Sequence, residues 1–126
     1  MAVAKKIMAN KVWFSIVSLL LILTGIVFAF LGLGILPVQR DVLLQWESAI
    51  YGAIIMGWGT TLFLVGRLAF RRNDRDLLKT LLHGLAVWLV LEALFSAYFD
   101  VWFNVGVDAT VLALFSIPLI KSIRTI

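Results

Sequence analysis

The chain has 126 residues, 63% of them hydrophobic, with a mean hydropathy of +1.06. So short a chain cannot bury that much apolar surface in a core of its own, which excludes an ordinary soluble domain and makes lipid the missing apolar partner. The absence of cysteine excludes disulfide frameworks, thiolate metal sites and membrane thiol–disulfide chemistry, and the net charge of +4 is no nucleic-acid signal, because of where the charges sit.

Met1 to Lys11 is a basic leader carrying Lys5, Lys6 and Lys11. A secretory signal would follow it with a short apolar core and a small-residue cleavage site. Instead, Val12 to Leu36 is an uncharged apolar run of 25 residues, and about 20 suffice to cross a bilayer. The expectation is an uncleaved first span over 12–36, with Asn10 as N-cap and Pro37 marking its far end. Val38 to Gln45 is expected to be a loop containing Arg40 and Asp41. The second span is expected over 46–70, with Glu47 at one mouth and Arg67 at the other end.

Arg71 to Asp76 is expected to form a tight charged turn, in which Asp74 or Asp76 caps the next helix and suits its dipole. The third span covers 77–99, and Asp100 to Gly106 forms the following turn. The fourth span covers about residues 104–120, its start lying between Val101 and Val107. It is expected to be the shortest, with Pro118 bending it or ending its regular hydrogen bonding. The fold class is therefore all-α: one integral membrane domain over 1–126, a four-helix transmembrane bundle with short loops and no soluble domain.

With four spans, both termini and the middle turn share one side. That side holds Lys5, Lys6, Lys11, Arg67, Arg71, Arg72, Arg75, Lys79, Lys121 and Arg124, ten of the eleven basic residues. The other side holds Arg40 beside Asp41, Glu47, Asp100 and Asp108. The bias of basic residues predicts an N-in/C-in protein of the plasma (inner) membrane, with both termini cytoplasmic. Trp46, Tyr51, Tyr98 and Trp102 fall near the outer interface and Trp13 near the inner one, as aromatic belts do.

Small residues let helix backbones approach where lipid removes the hydrophobic drive for association. Ser18, Gly25 and Gly32 recur every seven residues in the first span, as Gly52, Gly59 and Gly66 do in the second. Such a repeat keeps each set on one stripe, so the two stripes are expected to face each other. The bland alternative is that glycine is simply common in membrane helices.

The third span holds the two ionisable groups that sit well inside a span, His83 and Glu92. Glu92 lies roughly 22 Å from the start of that span at 1.5 Å per residue, in the outer third of the membrane. An acid there is costly unless paired, protonated or facing water, so it is expected to point into the bundle. Trp88, Phe95, Ser96 and Phe99 share its face by helical spacing. The functional reading is a proton-exchanging or cation-binding carboxylate. The structural reading is a hydrogen-bonded acid joining helices, with Tyr51 or Ser48 as partner.

His83 is expected to reach interfacial water or donate to a backbone carbonyl. One histidine and no cysteine exclude a bis-His haem or a zinc site within one chain. Trp58 and Trp88 fall near mid-membrane and, with Glu92, either line a cleft for an amphiphile or cation or pack against their neighbours. Glu47, Asp100 and Asp108 are expected to form a solvated acidic rim. Arg67, Arg71, Arg72, Arg75 and Lys79 set topology and are candidates for binding anionic lipid headgroups.

There is no Gly-rich phosphate loop, nucleophile elbow, HExxH motif or metal-spaced aspartate pair, so no catalytic residue, metal or cofactor is assigned. The size is similar to that of the small multidrug-resistance transporters, but those keep their essential glutamate in the first span, which is uncharged here, and the likeness stops at architecture. The expected function is non-enzymatic: binding a lipid or amphiphile, or serving as a membrane subunit or scaffold. The expected partners are membrane lipids and a second copy or another membrane protein. The alternative is a proton- or cation-coupled small-solute transporter built as an oligomer around Glu92.

Overall fold

A computed structural model describes residues 1–5, 9, 23, 27, 31–32, 36–37 and 39–126. All regular structure among the described residues is helical. Among the described residues, three helices are long and apolar enough to cross a membrane: α1 (Arg40–Arg72), α2 (Arg75–Tyr98) and α3 (Trp102–Thr125). They correspond to the second, third and fourth expected spans. The chain divides into two compact units, residues 1–53 and 54–126, and α1 runs from the first into the second.

In the first unit, residues 2–5 form a helical turn. Leu31 is helical, whereas Gly32 lies outside helix with φ +75°. The expected first span does not therefore run as one helix to Leu36, and Gly32 is not a member of a helical stripe. Left-handed backbone of this kind is open to glycine and is where helices commonly stop. Asn10, Trp13, Ser18 and Gly25 lie outside the described residues.

The loop expected over 38–45 is also shorter, because α1 begins at Arg40. Nothing after Pro37 breaks a helix there, and Asp41 in the first turn complements the positive end of the dipole. At 33 residues α1 is about 50 Å long, well beyond a hydrocarbon layer of about 30 Å. Its charge-free stretch, Ser48 to Gly66, is about 28 Å and matches that layer.

Two short turns join the helices of the second unit. At the first, Asn73 takes φ +50°, its N–H donates to the Phe70 carbonyl, and the Asp74 N–H reaches back to the Ala69 carbonyl at 3.0 Å. This paired closure satisfies carbonyls that a helix end leaves orphaned. Asp74 then caps α2, its carboxylate accepting the Leu77 N–H at 3.0 Å. At the second turn Asp100 takes φ +60°, and the N–H groups of Asp100 and Val101 close onto Ala97 and Ser96. Asn and Asp tolerate the left-handed region better than other side chains, so one device serves both turns. Only residues 73–74 and 99–101 lie between helices, so Arg71, Arg72, Arg75, Asp76 and Gly106 are helical rather than in turns.

α3 has 24 residues, as many as α2, and continues through Pro118 to Thr125. The expectation of a short fourth span ending near Pro118 is corrected accordingly. Proline removes one donor, leaving the Leu114 carbonyl without its usual partner, a loss that membrane helices tolerate.

α2 and α3 form an antiparallel hairpin. Leu78, Leu85 and Leu89 of α2 are buried together with Leu119 of α3 and Leu62 and Ala69 of α1. Along α2 the inward positions Leu78, Leu82, Leu85, Leu89, Glu92 and Ser96 alternate steps of four and three, the spacing of a knobs-into-holes seam. Polar residues thus continue an apolar seam without leaving it.

Candidate functional site

The polar end of that seam is built from both hairpin helices. Ser96 stands four residues before Asp100 and Asn104 four after it, while Glu92 and Asp108 are eight residues away on either side. An antiparallel hairpin turning at Asp100 therefore brings them level in two tiers. Asn104 Nδ2 donates to Ser96 Oγ at 2.9 Å, to Asp108 Oδ2 at 3.2 Å and to Glu92 Oε1 at 3.4 Å. Asp108 is 3% exposed, while Glu92, Ser96 and Asn104 are half-buried. No buried side-chain nitrogen or oxygen among the described residues lacks a hydrogen-bond partner.

The depth of the cluster follows from helix rise. Glu92 lies six residues from the end of α2 and Asp108 six from the start of α3, about 9 Å along each helix. Toward the opposite end, Lys79 is thirteen residues from Glu92 and Lys121 thirteen from Asp108, about 20 Å. The uncharged belt between them is therefore shorter than an apolar layer of about 30 Å. Lysine can reach an interface along its stem. A layer of about 30 Å that began at the lysines would enclose both carboxyl groups.

An amide –NH2 has two hydrogens, and here three acceptors surround it. Two carboxyl groups meeting at one amide in a low-dielectric layer repel each other when both are charged. The arrangement is chemically suited to share a proton or admit a cation. It is equally suited to clasp two helices.

Two parts of this cluster differ from the sequence-based expectation. Asp108 was expected on a solvated rim, but it is buried more than a turn inside α3. Asn104 was not singled out, since it fell where the expected turn and the start of the expected fourth span overlap. The Asn104/Asp108 spacing of four residues, which puts both on one helical face, is the signal that finds them once α3 is extended to Trp102. Of the rest of the expected rim, Asp100 sits in the turn, where its Oδ1 accepts from Trp102 Nε1 at 3.2 Å.

Trp58 and Trp88 do come together, edge to face with centroids 6.4 Å apart. Both are partly buried against the leucine core, and the Trp58 ring passes within 4.0 Å of where a Cβ on Gly84 would stand. They fill the space between α1 and α2 with each other. His83 is exposed, and its Nδ1 lies 2.7 Å from the Lys79 carbonyl, so Nδ1 carries a hydrogen and donates. Tyr51 is half exposed in the first unit, and the Ser48 hydroxyl donates to Leu44 of its own helix.

A Cβ on Gly52, Gly59 or Gly66 would meet no described atom within 4 Å. Arg67 lies over the Phe63 ring at 5.5 Å, and Arg71, Arg72, Arg75 and Lys79 are exposed. No three His, Cys, Asp or Glu side chains among the described residues are grouped to hold a metal. No family model, curated protein or solved structure matches the chain.

Proposed function

We propose that the chain is a small non-enzymatic protein of the plasma membrane, a four-helix bundle with both termini cytoplasmic, acting as a membrane subunit or scaffold or holding a lipid or amphiphile. The observation that carries this reading is the division of labour on its helices. Polar side chains of α2 and α3 are spent on one another through Asn104. Large apolar side chains such as Ile54, Phe63, Leu94 and Leu114 stay exposed, free for lipid or a partner helix. The bias of ten basic residues to one side supports the orientation, and the small interior of four such helices supports assembly with further copies or another membrane protein.

A second reading has its own observation. Glu92 and Asp108 converge on one amide within the span, and paired carboxyl groups at such depth mark proton and cation routes. That favours coupled transport of a small solute in an oligomer, with Glu92 exchanging the coupling ion.

Native mass spectrometry of the wild type and of Glu92→Gln, released from mild detergent, separates these readings. A subunit or scaffold gives the same oligomer and the same retained molecules for both proteins. A binding or transport role at Glu92 gives a bound molecule that the variant loses at least about tenfold, the change expected when a charge-assisted contact of about 1.5–3 kcal/mol is removed. A retained molecule lost from the variant would overturn the scaffold reading.

A further inference from the structure

Beyond the carboxyl cluster, the tip of the α2–α3 hairpin is mostly aromatic. Of the six residues 98–103, four carry rings, and Tyr98, Phe99, Trp102 and Phe103 are 64–83% exposed. The turn beneath them is closed by hydrogen bonds. The Val101 N–H donates to the Ser96 carbonyl at 2.7 Å and the Asp100 N–H to that of Ala97 at 3.1 Å. Tyr98 and Phe99 meet edge to face with centroids 5.0 Å apart, and Trp102 Nε1 donates to Asp100 Oδ1 at 3.2 Å.

Two opposed demands limit where this tip can sit. So many exposed rings on one short turn are unfavourable in water. Deep hydrocarbon is no better. Asp100 is exposed, and an acid is unfavourable there. Val101 begins α3 with no side-chain capping bond, so the first N–H groups of that helix need water or a lipid oxygen. The boundary between headgroups and acyl chains meets both demands, apolar beneath and wet above. Tyr and Trp suit it because each joins an apolar ring to a polar tip.

Helix rise gives the same place independently. Nineteen residues separate Lys79 from Tyr98 on α2, and nineteen separate Trp102 from Lys121 on α3. Each distance is about 29 Å, close to a hydrocarbon layer of about 30 Å. A layer that begins at the lysines ends at the rings.

We propose that the α2–α3 turn is an interfacial anchor whose partner is the lipid surface. Tyr98, Phe99, Trp102 and Phe103 lie at the headgroup–acyl boundary opposite the lysine end and pin the hairpin there. Glu92 and Asp108 are thereby held about 9 Å beneath that boundary. The anchor rests on the membrane location proposed above and on no role for Glu92.

The test places the full-length chain in phosphatidylcholine/phosphatidylglycerol vesicles. A nitroxide is carried on Val101→Cys, exposed in the turn, or on Leu91→Cys as an internal reference. Collision rates with oxygen and with a water-soluble nickel chelate report depth. The Val101 label should meet both reagents and lie about 10 Å nearer the surface than the Leu91 label, the rise of the seven residues from Leu91 to Tyr98. Tyr98→Ser/Phe99→Ser/Trp102→Ser/Phe103→Ser should carry the Val101 label outward by about 5 Å, one helical turn, whereas Phe99→Trp/Phe103→Trp should leave it in place. A Val101 label reached by the chelate alone would put the turn in water, and one shielded from both reagents would put it against protein. Either result overturns the anchor, as does an unmoved label in the serine variant. The comparison of Val101 with Leu91 keeps all four rings, so it stands whether or not the serine variant folds. Chelate-dominated relaxation at Leu91 as well would mark failure of the membrane location rather than of the anchor alone.

Discussion

Asn104→Leu should destabilise the α2–α3 hairpin by about 2–4 kcal/mol, measured by titrating the protein from mild detergent into a denaturing one. The substitution removes the one donor that Ser96, Glu92 and Asp108 share. A buried polar group that loses its donor costs about 1–3 kcal/mol, although transmembrane hydrogen bonds measured singly run nearer 0.6 kcal/mol, because helices in lipid find other partners. Asp108 should suffer most, since it is 3% exposed and has no water to turn to. Replacing it as well, in Asn104→Leu/Asp108→Leu, should recover at least about 1 kcal/mol of the loss, the non-additivity expected of residues in contact. A loss no larger than that of Thr110→Leu, at an exposed position six residues further along α3, would show that the amide holds nothing together.

Leu85→Ala is the second large effect, at about 1–3 kcal/mol in the same titration. Leu85 is 1% exposed at the centre of the seam. In a soluble protein truncating a buried leucine costs about 2–5 kcal/mol, part of it the transfer of the lost methyl groups out of water. Between membrane helices that transfer part vanishes, because the separated helix would face lipid. What remains is the cavity and its lost dispersion contacts, hence the smaller figure. Leu94→Ala, on the exposed face of the same helix, should change stability by less than about 0.5 kcal/mol. Equal costs at the two positions would mean that Leu85 does not sit at a helix interface.

The apolar runs made α2 legible to within two residues at each end and α1 to within two at its end but six at its start, because a long uncharged stretch has few alternatives to a membrane helix. Their ends were harder to place. Arg71, Arg72 and Asp76 look like loop residues by charge, yet the chain turns at Asn73 and Asp74 and keeps the flanking charges helical. The turn chemistry depends on a left-handed Asn73 and Asp100, which composition does not single out. The same blindness hid half of the site. With Asp100 to Gly106 read as a turn and the fourth span started only at about 104, Asn104 stood at a helix end and Asp108 on a rim. Once the turn closes at Val101, the positions equidistant from Asp100 fall opposite each other, and Glu92, Ser96, Asn104 and Asp108 assemble from the numbering alone. Pro118 misled in the other direction, since a break in the bonding pattern need not end a helix whose surroundings hold it.

Label depth tests the central claim most directly: that the carboxyl cluster lies inside the membrane, with Glu92 and Asp108 level. The chain has no cysteine, so Leu91→Cys and Val107→Cys, each exposed and adjacent to one acid, give single spin-label sites. Their collision rates with oxygen and with a water-soluble nickel chelate, measured in lipid vesicles, report depth. Both labels should be oxygen-accessible and chelate-protected, at depths agreeing within about 5 Å, roughly one helical turn. Chelate-dominated relaxation at both sites, or depths differing by two turns or more, would contradict an intramembrane pair on an antiparallel hairpin.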